Sequence, residues 1–141
     1  MIGKGTLEKK IQEEIIKRHL QEHVKILGIQ KDIQGFLSAG DVFLMPSLYE
    51  GLPVSGVEAQ ANGIQCYFSE NITDEINITD AAHFISLKKS PSEWAKIITS
   101  NSILHLSNQK EKITQMGFNM IQQASEIQNM YIELDKKARG D

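Results

Sequence analysis

The sequence predicts an α/β domain with a parallel sheet and helices on its faces. Two observations carry this. Short apolar runs recur at VKIL (24–27), VFLM (42–45), CYFS (66–69) and around HFISL (83–87), and amphipathic segments of helical spacing lie between them. Apolar runs without polar alternation suit strands covered on both faces, and strand–helix alternation implies parallel strands joined by crossovers.

Taken in order, Thr6 to about Leu20 reads as the first helix, with Leu7, Ile11, Ile15, Ile16 and Leu20 on one side and Thr6 as its cap. VKIL is a short strand closed by Gly28. Ile33, Phe36 and Leu37 mark a short helix with Gly40 just past its end. VFLM, stopped by Pro46-Ser47, is a strand buried on both faces. A helix from Pro53 to Asn62 follows, with Pro in the first position and Gly63 as the stop.

CYFS and HFISL are the next strands, and SPSEWAKIITS (90–100) is a helix capped by Ser90 or Ser92 with Trp94 inward. Residues 105–141 form a C-terminal helical tail, with a break at Gly117 and an apolar stripe that either packs on its own domain, which is favoured, or is left partly unpartnered. Only Met1-Ile2 precede the turn Gly3-Lys4-Gly5, so the chain reads as starting at the end of a strand.

At 141 residues the chain has the size of one domain, read here as 1–141. Its net charge of −3 argues against a nucleic-acid surface. No apolar run approaches a membrane span and the start lacks a signal-peptide core. The single cysteine, Cys66, sits in an apolar run and reads as core in a reducing cytoplasm. His19 and His23 are four apart but find no third ligand, so no metal is expected. Ser47 and Ser55 lack the Gly-x-Ser-x-Gly elbow of a hydrolase nucleophile. Thr73, Asp74 and Glu75 either cap a short helix or reach a ligand, with capping favoured.

The stretch YEGLPVSGVE (49–58) holds two glutamates at a helix mouth. A helical wheel with Val54 at the top and Val57 and Ala61 beside it puts Glu58 on the buried face or its edge and turns Ala59 and Gln60 away. A buried carboxylate requires donors, and carboxylates can accept both hydroxyls of a ribose. Backbone N–H groups from Gly51 to Ser55 can face a diphosphate or sugar. Taken alone, Glu50 is either helix-end charge or a hydroxyl acceptor, and Glu58 either pairs with a lysine or meets a ligand.

DVFLMPSLYEGLPVSGVEAQANGIQCYFSE (41–70) resembles the signature region of retaining family-4 glycosyltransferases of the GT-B fold. The shared features are Pro46-Ser47 at a strand end, Glu50 and Glu58 in an E-x7-E motif, Gly51-Leu52-Pro53, Ala59 and the closing Gly63. IGKGTLEKKI resembles the Gly-x-Gly helix start one unit earlier, and VKILG the strand after it. SENITDEINITD with HFISL is similar to exopolysaccharide and capsule transferases. Residues 2 to 100 carry the likeness.

The resemblance implies a Rossmann-like three-layer sandwich, equivalent to the C-terminal donor-binding half of such an enzyme and lacking its first strand–helix unit. Glu58 would bind the ribose and Glu50 the donor sugar, with Glu50 the one catalytic candidate. Gly51, Leu52, Pro53, Val54 and Ser55 would surround sugar and phosphates, with Gly3 and Gly5 near the diphosphate. The donor would be a nucleotide-diphosphate sugar, a UDP-sugar by family preference. The acceptor would be a glycan or lipid-linked, reached through an N-terminal domain outside this sequence.

The same resemblance implies no metal or other cofactor and a cytoplasmic location, with peripheral association at the inner face of the membrane for the full enzyme. It also implies a basic Arg and Lys pair upstream of Met1, for which Lys4 is a poor substitute. The isolated chain is therefore expected to lack transferase activity. The alternative expectation is a non-catalytic remnant or a partner-binding subunit that needs a separate N-terminal half.

Overall fold

A computed structural model of the chain describes residues 1–101, 105–107 and 109–139. Asn108, Gly140 and Asp141 of the expected tail lie outside the described residues. The chain divides into two compact units, Met1–Phe36 and Leu37–Asp141.

In the first unit, helix α1 spans Glu8–Lys17, shorter at both ends than expected. Leu7 occupies the N-cap and no side chain caps the helix, so Thr6 does not serve. The C-terminus stops where His19 enters the left-handed region at φ 56. The His19 N–H donates to the Ile16 carbonyl and the Leu20 N–H to that of Ile15, which is a Schellman stop with histidine in the usual glycine position. His19 and His23 therefore do not share a helix face.

VKIL is not a strand in the structure. Its backbone bonds instead to the start of the chain: the Met1 amino group donates to the Lys25 carbonyl, and the Leu27 N–H to the Met1 carbonyl. These bonds bracket Ile26 as a parallel ladder would. The Gly3 N–H donates in turn to the Gly28 carbonyl at 2.8 Å, and Gly3 and Gly28 lie at φ 122 and 63. Helix α2 (Ile33–Ala39) carries the chain into the second unit. Asp32 caps it, its Oδ1 accepting the Gly35 N–H at 2.8 Å, and Gly40 is not in the left-handed region expected of a helix stop.

The second unit holds a parallel sheet of β1 (Val42–Met45), β2 (Gln65–Ser69) and β3 (Ala82–Ile85) in the order β1-β2-β3. Strand alternation sorts the core into two layers. Phe43, Met45, Cys66, Phe68, Ala82 and Phe84 face α3 (Val54–Asn62) and α5 (Gln109–Gln115) through Ala59 and Ile113. Val42, Tyr67 and Ile85 face α4 (Pro91–Ser100) through Trp94, Ile97 and Ile98. The expected helix–sheet–helix layering is present here. β2 is buried at every residue, but β1 lies at an edge and Leu44 is half exposed, so VFLM is not covered on both faces.

The caps follow sequence chemistry with shifts of one residue. Pro53 is the N-cap of α3 rather than its first residue, and Gly63 ends the helix at φ 86. A side chain at Gly63 would also meet the Leu106 carbonyl oxygen at 2.2 Å, so glycine is required twice over. Ser90 and Glu93 form a capping box on α4, and the Ser90 backbone and side-chain donors hold the Glu93 carboxyl below its ordinary range. Thr73 caps a short 3₁₀ turn at Asp74–Ile76.

α5 ends at the expected Gly117 break, at φ 85, through a second Schellman stop formed by Gly117 to Thr114 and Phe118 to Ile113. Asn119 caps α6 (Met120–Arg139) by accepting the Ile121 and Gln122 N–H groups at 3.1 and 3.2 Å. α6 buries none of its residues, and Met120, Ile127, Tyr131 and Leu134 are exposed. The tail stripe thus does not pack on its own domain. Among the described residues no helix is long and apolar enough to cross a membrane.

Candidate functional site

The site is built where β1 and β2 end. Register pairs Met45 with Phe68, so Pro46 and Ser47 leave β1 beside Ser69, the last residue of β2. The loop from Ser47 to Glu50 is then tied to the segment after β2. The Ser69 hydroxyl donates to the Ser47 carbonyl, and the Asn71 amide to the Leu48 carbonyl at 3.1 Å. Glu50 forms a parallel bridge with Ile72, and its Oε1 accepts the Ser47 hydroxyl at 3.0 Å.

Between these two segments lies an open cleft of about 470 Å³. Tyr49, Glu50, Gly51 and Leu52 form one wall and residues 70–75 the other. Glu50, Glu70, Asp74 and Glu75 give it four carboxylates, and among the described residues no Lys or Arg lines it. Ionised carboxylates only accept hydrogen bonds. The cleft therefore suits hydroxyl-bearing groups and disfavours phosphate.

α3 begins directly beyond this wall. Its first-turn N–H groups, on Val54 and Ser55, have no partner within the helix, and Pro53 supplies no side-chain cap. Gly56 and Val57 both donate to the Pro53 carbonyl.

The phase of α3 corrects the wheel. Its buried residues are Gly56, Ala59 and Gln60, whereas Val54 is 70% exposed and Glu58 is exposed. Two of these three, Gly56 and Gln60, carry little apolar signal. A Cβ on Gly56 would sit 2.9 Å from Phe68 and 3.2 Å from Ile76, so glycine permits the close approach. Gln60 satisfies its buried amide with the Ile76 carbonyl at 2.8 Å, and with the Thr79 N–H and hydroxyl at 3.1 and 3.0 Å.

The buried polar group that needed partners is thus Gln60, and Glu58 stands on the outer side with Val54. Glu50 and Gly51 share the cleft with Leu52, while Val54, Ser55 and Glu58 are not among its lining residues. Gly3 and Gly5 lie in the first unit, where they line a depression of about 230 Å³ with Lys4, Leu7 and Ile11.

Sequence reasoning missed Ser69 and Asn71. The available signal was a polar residue ending an otherwise apolar strand, in YFSE. Cys66 is buried as expected, and burial pushes its thiol up to about 12.

Residues 1–120 match the family described as Glycosyl transferases group 1. A Bacillus subtilis (strain 168) protein named as a glycosyltransferase, EpsF, is 35% identical over 135 residues, covering 93% of this chain and 35% of that protein. The Escherichia coli UDP-Gal:alpha-D-GlcNAc-diphosphoundecaprenol alpha-1,3-galactosyltransferase is 30% identical over 130 residues, covering 82% of this chain and 31% of its own length. The O-antigen biosynthesis glycosyltransferase WclY, also of Escherichia coli, is 30% identical over 134 residues, which are 94% of this chain and 38% of WclY. The chain spans about a third of the length of these relatives.

The relatives' names lend no support to the alternative of a non-catalytic remnant or partner-binding subunit. With a Rossmann-like helix–sheet–helix body and a family match over most of its length, the chain belongs to the group 1 glycosyl transferases, whose relatives here include proteins named for polysaccharide synthesis.

Proposed function

We propose that this chain is the donor-binding part of a retaining, family-4, GT-B glycosyltransferase that transfers a sugar from a UDP-sugar to a glycan or lipid-linked acceptor in surface polysaccharide synthesis. The observation that carries this reading is the pairing of a tethered Glu50, at a cleft suited to hydroxyls, with an exposed Glu58 on the helix whose first-turn amides are open.

On this reading Glu50 accepts hydroxyls of the donor sugar and Glu58 the ribose diol. The backbone at Gly51, Leu52, Pro53, Val54 and Ser55 lies along sugar and phosphates. No metal takes part. Acceptor contacts come from outside these 141 residues, and the whole enzyme works at the cytoplasmic face of the membrane. The exposure of Glu58 favours the role, because a carboxylate already buried among protein donors could not serve a ligand.

Isothermal titration calorimetry with UDP, GDP and ADP tests the proposal. The expected result is binding of UDP, weakened about tenfold or more by Glu58→Ala, the loss of hydrogen bonds to a charged group. Absence of heat with all three nucleotides at millimolar concentration would count against it.

A further inference from the structure

We infer that Ser47, held in turn by Ser69, is a positioning residue that orients the Glu50 carboxylate for the donor sugar; this rests on the nucleotide-sugar reading above. Ser69 is fully buried at the end of β2, and its hydroxyl donates to the Ser47 carbonyl. The Ser47 hydroxyl donates in turn to Glu50 Oε1 at 3.0 Å. Asn71 holds the Leu48 carbonyl from the same side, and Ile72 bridges to Glu50. The loop therefore touches the segment after β2 at Ser47, Leu48 and Glu50.

The consequence is directional. Oε1 is engaged by Ser47, Oε2 receives no hydrogen bond among the described residues, and Glu50 lines the cleft. A carboxylate fixed through one oxygen presents the other in a defined direction before any ligand arrives. That preorganisation removes an ordering cost from binding. It acts on the sugar alone, because the cleft's acidic lining disfavours phosphate. A bond that merely held the loop would change stability without changing the ratio of affinities for UDP and a UDP-sugar.

The test measures that ratio by calorimetry on the full chain, with UDP, UDP-galactose, UDP-glucose and UDP-N-acetylglucosamine as probes. The wild type is expected to bind at least one UDP-sugar more tightly than UDP. Ser47→Ala should leave UDP affinity within about twofold and reduce the gain from the sugar about tenfold, the scale of one hydrogen bond to a charged group. Ser47→Thr, which keeps the hydroxyl, should restore it. In a Glu50→Gln background, Ser47→Ala should have little further effect.

Ser69→Ala reports on the same chain of bonds if Ser47→Ala unfolds, and thermal melts establish that each variant is folded. A wild-type gain that survives intact in folded Ser47→Ala overturns the positioning role and leaves the nucleotide-sugar reading standing. A wild type that binds neither UDP nor any UDP-sugar overturns both.

Discussion

Replacing Gln60 by leucine should be among the most costly single changes in the second unit. The side chain is completely buried and bonds the Ile76 carbonyl and the Thr79 N–H and hydroxyl. Leucine has nearly the same volume and no polar atoms, so it leaves the Thr79 N–H and hydroxyl without their acceptor, whereas the Ile76 carbonyl keeps the Ile78 N–H at 2.8 Å. Thr79 is buried, which denies them water. The weaker bond to the Gly56 carbonyl matters less, because that oxygen still accepts from the helix backbone. Each stranded buried group costs about 1–3 kcal/mol, and for these two with partial relaxation the sum is about 3 kcal/mol, a large share of an ordinary domain's stability. Urea unfolding followed by the fluorescence of Trp94, the sole tryptophan, reports on this unit directly. Glu58→Leu, two positions earlier on the outer side, should fall within about 0.5 kcal/mol of wild type. A Gln60→Leu loss below about 1 kcal/mol, or a larger loss for Glu58→Leu, would refute the phase assigned to α3.

Two further outcomes follow from buried titratable groups. Cys66, whose thiol burial pushes up to about 12, should resist a thiol reagent at pH 8 until urea unfolds the second unit; labelling of the folded chain at the rate of a free thiol would contradict this. His83 lies 2.6 Å from Gln65 Oε1 and stacks on Tyr67, and burial lowers its pKa. The unfolded chain therefore binds that proton more tightly, so stability should fall as pH drops below the ordinary value of 6.5. His83→Gln should flatten the change between pH 7 and pH 5 relative to wild type. An equal slope in both proteins would remove His83 as the cause.

Strand and helix identities were legible where a single local signal dominated. CYFS is apolar because β2 is central, and Ser90 with Glu93 carries its own cap. The failures at VFLM, α3 and the tail stripe share a cause, namely that burial was inferred from side-chain polarity. In α3 the core positions are glycine, alanine and glutamine, and their burial depends on Phe68, Ile76 and Thr79, which a wheel cannot see. The end of α1 depended on histidine accepting a left-handed conformation, for which glycine is the usual marker. Within the site, Glu50 and Gly51 were readable from the motif. Ser69 and Asn71 were not, because only the register of β2 against β1 brings them to a loop 22 and 23 residues earlier.

The electrostatics of the cleft decide how the proposed donor would divide itself over the surface. A nucleotide-sugar has a hydroxyl-rich end and an anionic end, and these ask for opposite surroundings. The walls at Tyr49–Leu52 and 70–75 offer four carboxylates and no cation, so they can serve only the hydroxyl-rich end. The phosphates would instead meet the open amides of Val54 and Ser55, where the partial positive charge of a helix N-terminus favours an anion. A helix end supplies about half an elementary charge, less than a diphosphate requires. On that proposal, affinity for UDP alone would measure mainly groups outside the cleft. The increment added by the sugar measures the cleft itself. For a chain that spans about a third of its relatives' length, that increment is the more diagnostic quantity, and it reports on the Ser69–Ser47–Glu50 bonds that this chain does contain.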